Sequence, residues 1–148
     1  MQFSIDQIAW MGLEVERQKA GASSVVGMAR AVELISNIHG TEEDGLTFDL
    51  LNEMHAHVTM GMVKSGFRDT PVVFQSGGSS ASSSEIPNAL ENLFSAIPTL
   101  DDEDVNMWIR HYLWIHPFED GNGRTASIIR NWLLRTLDNP TPLPDYKW

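Results

Sequence analysis

The chemistry of this chain concentrates in nine residues, HPFEDGNGR, at positions 116–124. His116 carries an imidazole, whose ordinary pKa suits general base catalysis near neutral pH. Asp120 supplies a carboxylate of the kind that holds Mg²⁺ against the phosphates of a substrate. The Gly-Asn-Gly run at 121–123 allows positive φ values and a close approach of the backbone to a ligand. Together these residue types indicate phosphoryl or nucleotidyl transfer.

The position of this run between two helices predicts an anion site. One helix must end before Pro117, because the residue before a proline is pushed out of the helical region. A second helix begins near Asn122, and the free N–H groups of its first turn attract anions. Arg124 lies in that turn, where a cation is unfavourable unless an anionic ligand is present. We therefore expect this turn to bind phosphate oxygens.

Six helices are expected to position the turn. Ser4 followed by Gln7 is a capping-box pattern, and apolar residues recur with the helical period along most of the chain. The helices are predicted to begin near Ser4, Ser23, Thr47, Pro87, Asp101 and Asn122, and those with a clear end finish near Gly21, Gly40, Ile97, His116 and Leu137. This pattern predicts a compact all-α fold with one small β excursion.

Residues 63–84 break the helical pattern. Gly66, Pro71 and the apolar run at 72–74 predict a short extended ribbon, and QSGGSSASSS at 75–84 predicts a flexible surface turn. A chain of 148 residues is the size of one domain, so a single domain over 1–148 is expected, with a proline-rich tail at 138–148.

Composition excludes several classes of function. Twenty acidic against ten basic residues give a net charge of −10, which opposes nucleic-acid binding and a polybasic membrane anchor. The absence of cysteine excludes a disulfide scaffold, a thiolate metal site and a cysteine nucleophile. No apolar run is long enough to span a membrane, and the N-terminus does not resemble a secretory signal. A cytoplasmic location is expected, with delivery into a host cell as an alternative.

The nine-residue run resembles the signature of the Fic domain, H-x-F-x-[D/E]-G-N-G-R-x-x-R, at every defined position through Arg124. The resemblance extends over about 45–137. GFRDTPVVF, a loop and EIPNALENLFSAI are similar to the Fic flap and the helix after it, and RHYLWIHPF is similar to the helix before the signature. The resemblance implies a Fic-like helical domain with a short β-hairpin flap.

Most Fic proteins transfer AMP from ATP to a hydroxyl side chain of another protein. By this resemblance, His116 would deprotonate a Tyr, Ser or Thr hydroxyl, Asp120 would bind Mg²⁺, and Phe118 would anchor the loop in the core. The phosphate-binding residues would be Gly121, Asn122, Gly123 and Arg124. The flap that docks the target by strand addition would comprise Thr70, Pro71, Val72, Val73 and Phe74.

Ser127 stands where the family signature has its second arginine. That arginine resembles a ligand of the γ-phosphate, so its loss keeps other donors open, such as UTP, GTP or a CDP-alcohol. Because residues i and i+3 are neighbours on a helix, position 127 is expected to face the same side as Arg124. Ser127→Arg would then be expected to tighten ATP binding.

Fic proteins are commonly silenced by a helix that carries [S/T]-x-x-x-E-[G/N], and no glutamate of this chain completes that pattern. We therefore expect either a separate antitoxin-like partner or no inhibition of this kind. AMP transfer is the preferred hypothesis. The alternatives are a Fic-fold transferase with another donor and a catalytically silent binding module. A Doc-like kinase fits less well, because that branch resembles one with Lys at the place of Gly123.

Overall fold

The computed structural model describes residues 2–38 and 45–146, and six α-helices carry nearly all of their regular structure. In chain order, α1 is Ile5–Arg17, α2 Ser24–Ser36, α3 Phe48–Thr59, α4 Ile86–Ser95, α5 Val105–Ile115 and α6 Asn122–Leu133. The 3₁₀ turns Ser83–Glu85, Ile97–Thr99 and Asp102–Asp104 flank α4 and α5. The all-α class is thus confirmed. Within these residues, every helix is too short or too polar to cross a membrane.

The predicted caps set the starts of two helices. Ser4 donates its backbone N–H to Gln7 Oε1 at 2.8 Å, and Gln7 donates its own N–H to Ser4 Oγ at 3.1 Å, which closes the capping box of α1. Thr47 Oγ1 accepts the N–H of Leu50 at 3.1 Å at the start of α3. These bonds satisfy N–H groups that a helix leaves unpaired at its first turn.

Helices α1, α4 and α6 end earlier than periodicity predicts. Lys19 and Arg135 have φ values of 57° and 58°, so the chain reverses shortly after Arg17 and Leu133. Left-handed residues commonly terminate helices. Beyond Ser95, α4 continues only as a 3₁₀ turn. Gly40, expected to close α2, lies outside the described residues, as do the last two residues of the tail.

Close packing of α2 on α3 and of α5 on α6 builds the core. A β-carbon on Gly27 would collide with the carbonyl oxygen of His57, so glycine at this position allows the α2 backbone to contact α3. Between α5 and α6, the buried hydroxyls of Tyr112 and Thr125 share a hydrogen bond of 2.7 Å. The largest fully buried apolar side chains include Met11, Met28, Ile35, Leu51, Met54, Ile86, Leu90, Ile109, Ile115 and Phe118.

The flap segment has less strand pairing than the expected β-hairpin. In the described residues, this pairing consists of one antiparallel bridge between Val73 and Ser79. Pro71 lacks the N–H that a longer ladder would need. Residues 75–79 of the serine-rich turn lie on the surface, as expected. The stretch is held to the domain further along, because Ala81 is buried and Ser80 binds a buried guanidinium.

Candidate functional site

His116 stands at the junction between α5 and the polar turn. Its backbone N–H donates to the carbonyl of Tyr112 at 3.1 Å, while its own backbone is left-handed, with φ 52° and ψ 63°. The helix ends here, one residue before Pro117, as the sequence predicts. The imidazole is half-buried and meets the ring of Phe74 edge-on, with centroids 6.0 Å apart. The flap therefore contacts the proposed base directly.

The surroundings of His116 keep its ring neutral at pH 7. Burial lowers the pKa of His116 below its ordinary value of 6.5, and the positive charge of Arg68 lowers it further. A hydrogen bond to the backbone of Leu113 and the charge of Asp120 act in the opposite direction on that pKa. A neutral imidazole carries a proton on one ring nitrogen and a lone pair on the other, so the ring can accept a proton.

The loop after His116 is braced from inside. Asn122 Oδ1 accepts the N–H of Phe118 at 3.0 Å, and Asn122 Nδ2 donates to the Phe118 carbonyl at 2.8 Å. Phe118 is completely buried and stacks on His55, with ring centroids 3.7 Å apart. His55 Nε2 lies 2.8 Å from the carbonyl of Asp120 and must be the protonated nitrogen. The side chain of Asn122 thus shapes the loop through both of its polar atoms.

The start of α6 has the features of an anion site. Gly121 takes φ 83° at the N-cap position, and no side chain in the described residues caps the helix. A β-carbon on Gly121 would lie 3.0 Å from Thr59 and 3.4 Å from His55, so glycine is required by both conformation and packing. The N–H groups of the first turn are left for water or a ligand, which an anion satisfies best.

Gln18, directly after α1, lies against this same turn. A β-carbon on Gly123 would come within 2.5 Å of Gln18 Oε1. Gln18 Nε2 in turn donates to the buried carboxylate of Glu14 at 3.0 Å. The space in front of Gly123 is therefore bounded by the polar side chain of Gln18, at the end of α1.

Asp120 and Arg124 form an ion pair of unequal exposure. Arg124 Nη2 donates to Asp120 Oδ2 at 3.2 Å, and Nη1 donates to the carbonyl of Val58 at 3.2 Å. The side chain of Asp120 is 64% exposed, whereas that of Arg124 is 3% exposed. Arg124 thus braces Asp120 and the end of α3. Its buried Nε has no partner among the described atoms, which leaves one free donor.

Ser127 is completely buried, and Trp10 covers it. The indole Nε1 of Trp10 donates to Ser127 Oγ at 3.1 Å. The space that an arginine at this position would need is thus filled by α1. The i, i+3 spacing predicts only which face of α6 residue 127 occupies, and at this residue α1 packs against that face.

Two residues of the site were not predicted. His55 occupies a core position of α3, on the same helix face as Leu51, Met54 and Val58. A histidine among these apolar residues was the one feature of the sequence that could have indicated its role. Arg68 is the largest fully buried side chain of the described residues and binds the backbone of His116. No local pattern marks Arg68, since its partners come from distant positions.

The uncapped α6 turn, the neutral imidazole and the braced loop can be compared with known proteins. The model of the Fic/DOC family matches residues 45–134, more than half of the chain. The chain belongs to the Fic/DOC family. Fic/DOC membership supports a Fic-type transferase or binding role, since the family usually transfers nucleotide-derived groups to proteins.

Solved structures share the Fic/DOC fold. A Fic domain containing signaling protein from Bacteroides thetaiotaomicron has a TM-score of 0.64 and 22% identity, over 85% of this chain and 55% of its own. A Fic family protein from Desulfovibrio desulfuricans has a TM-score of 0.65 and 15% identity, over 91% and 43%. The chain thus spans about half the length of these proteins. Among proteins of curated function, none matches.

Proposed function

We propose that the chain transfers AMP from ATP to a Tyr, Ser or Thr hydroxyl of a target protein. The observation that supports this most strongly is the half-buried imidazole of His116, packed against the flap, on the same short loop as an uncapped helix N-terminus. Burial lowers the pKa of this imidazole and so favours its neutral form. A base and an anion site at the two ends of one braced loop are what attack of a hydroxyl on a phosphate requires.

His116 acts as the general base in this proposal. Its lone-pair nitrogen takes the proton of the target hydroxyl while the hydroxyl oxygen attacks the α-phosphorus of ATP. The bond between the α-phosphorus and the oxygen that bridges to the β-phosphate breaks, and pyrophosphate leaves. Base catalysis of this kind contributes roughly 10²–10⁴-fold to the rate. Backbone N–H groups at 121–123 stabilise the charge that develops on the phosphate oxygens.

Asp120 is the residue that would hold Mg²⁺. Its exposed carboxylate fits, because Mg²⁺ typically takes one or two carboxylates and completes its shell with water and substrate phosphates. When bound, Mg²⁺ neutralises phosphate charge. Arg124 keeps the Asp120 carboxylate oriented through their ion pair.

The flap would present the target segment to His116. Val73 is 69% exposed, and its neighbour Phe74 touches the His116 ring. An extended peptide lying along Thr70–Phe74 would place a hydroxyl beside the imidazole by pairing with the backbone there.

A transferase with a different donor is a second candidate, and the contact between Trp10 and Ser127 favours it. No cation stands at position 127, and the indole fills the space around it. A donor without a γ-phosphate needs no cation at this position, so its binding would not be weakened by the serine.

The experiment incubates the purified chain with a cell lysate, Mg²⁺ and ATP labelled at either the α- or the γ-phosphate. AMP transfer predicts protein labelling from the α-label alone, and the loss of that labelling in excess EDTA. Labelling from the γ-label alone would establish a kinase and overturn the proposal. Labelling from neither ATP, but from a CDP-alcohol labelled at the phosphate that carries the alcohol, would favour the second candidate. Asp120→Ala is the matched variant for the EDTA arm.

A further inference from the structure

Arg68 is buried without a carboxylate partner among its hydrogen bonds in the described part of the chain. Burying a guanidinium is costly unless its donors are satisfied. Its Nε donates to the carbonyl of His116 at 2.5 Å, and its Nη1 donates to the carbonyl of Thr70 at 2.6 Å. Its Nη2 lies within hydrogen-bond distance of three acceptors: Ser80 Oγ at 2.8 Å, the carbonyl of Ala81 at 2.5 Å and the carbonyl of Ile115 at 3.0 Å. Every guanidinium nitrogen thus donates a hydrogen bond. The acceptors lie either at the end of α5 or at the base of the flap.

The first place is the end of α5. The last carbonyls of a helix have no partner within it and carry the negative end of the helix dipole. Arg68 donates to two of these carbonyls, those of Ile115 and His116. This cap also holds the left-handed backbone of His116, which an L-residue adopts only at a cost.

The second place is the base of the flap. Thr70 and Ala81 stand on its two arms, and Arg68 binds the carbonyl of each. Ser80, next to Ala81, accepts from Arg68 and donates to the carbonyl of Val72 at 3.3 Å across the flap. The main chain of Arg68 adds a further link, because its N–H donates to the carbonyl of Pro117 at 2.8 Å.

We propose that Arg68 is a positioning residue that clamps the flap base to the backbone of His116 at the end of α5. The inference rests on the proposed function, in which the flap holds the target and His116 is the base. Because one planar guanidinium binds both the flap and the end of α5, a shift of the flap is transmitted to His116. Lysine keeps the charge but has no planar fork, so it cannot reproduce the clamp.

The test compares Arg68→Lys, Arg68→Met and Ser80→Ala with the wild-type chain. The control is Arg30→Met, which removes an exposed arginine on α2. Two measurements are made: an NMR titration of the histidine rings without nucleotide, and kcat and KM for AMP transfer. A misplacement of about 1 Å costs on the order of 10²-fold in rate, so Arg68→Lys should lower kcat roughly ten- to a hundred-fold, with KM for ATP nearly unchanged.

The NMR measurement separates positioning from simple loss of fold. In Arg68→Lys the His116 ring signals should move while its pKa stays low, because the positive charge remains. In Arg68→Met the pKa of His116 should rise, because burial then acts without that charge. Ser80→Ala removes one acceptor and should give a smaller loss of kcat. If Arg68→Met does not fold, Arg68→Lys and Ser80→Ala decide the matter.

Wild-type kcat in Arg68→Lys, with unchanged His116 signals, would overturn the proposal. If the wild-type chain transfers no AMP at all, the proposed function fails. The nucleotide-free titration still tests whether Arg68 holds His116 in place.

Discussion

His116 adopts a left-handed backbone at φ 52°, a conformation that costs a non-glycine residue on the order of 1 kcal/mol or more. The α5 carbonyl of Tyr112 and the guanidinium of Arg68 hold it there. Such strain persists only where the surroundings over-determine it, and it places the imidazole between the flap and the loop. The contacts that hold His116 therefore determine the geometry of the site.

Asn122 offers the most direct test of the loop at this scale. Asn122→Ala leaves the N–H and the carbonyl of Phe118 without partners in a buried place, at about 1–3 kcal/mol for each unsatisfied group. Asn122→Asp keeps the acceptor but loses the donor, so its free energy of unfolding should fall between those of wild type and Asn122→Ala. Urea denaturation checks this order. Equal stability of the two variants would contradict a loop held by both bonds.

Ser127 provides a second residue-scale prediction. Ser127→Arg must displace Trp10 and bury a charge, so the free energy of unfolding should drop by about 3 kcal/mol or more. Ser127→Ala, the matched control, leaves only the indole N–H unpaired and should cost about 1–3 kcal/mol. Thermal denaturation and ATP titration are the measurements. A Ser127→Arg chain as stable as wild type, with tighter ATP binding, would show that the position is open after all.

At the element scale, the α2–α3 contact depends on Gly27. Gly27→Ala forces the two backbones apart and should lower the free energy of unfolding by about 1–3 kcal/mol. Gly12→Ala on α1 is the matched control, because a β-carbon there meets nothing within 4 Å. It should raise stability by roughly 0.5–1 kcal/mol through helix propensity. A harmless Gly27→Ala, measured by chemical denaturation, would argue against this close packing.

Elements whose boundaries are set by local chemistry could be predicted from the sequence. The capping pairs of α1 and α3 and the end of α5 before Pro117 depend on residues within one turn of each other. The base, the loop and the uncapped α6 turn follow from the same local reasoning. The roles of Arg68 and Trp10 could not be predicted, because their partners are far away in the sequence. The residues at the end of α5 that Arg68 binds lie 47 or more positions from it. Ser127 lies 117 positions from Trp10.

At the scale of the whole molecule, the buried His55 and the half-buried His116 make stability depend on pH. Burial is the largest cause that lowers the pKa of both His55 and His116 below 6.5. The unfolded chain therefore binds more protons than the folded one in mildly acidic solution, and stability rises with pH there. Their contribution is complete above the unfolded pKa near 6.5 and is lost as the pH falls through the lower folded values.

Urea denaturation between pH 5 and pH 8, a range of roughly 1.5 units to either side of the unfolded value, measures this dependence. His116→Gln should weaken the loss of stability on acidification, since one of the two groups no longer takes up a proton. His111→Gln is the control, because His111 is exposed on α5. An acid-induced loss that is the same in His116→Gln as in wild type would contradict a buried neutral His116.

In the proposed function, His116 is the base of an AMP transfer that takes place at the α6 N-terminus. The most direct measurement follows incorporation of label from α-labelled ATP into protein by wild type and by His116→Ala, with ATP binding titrated for both. We predict that wild type transfers the label, and that His116→Ala binds ATP about as well but transfers roughly 10²-fold less or worse. Equal transfer by the two chains, or loss of ATP binding in parallel with transfer, would contradict the claim.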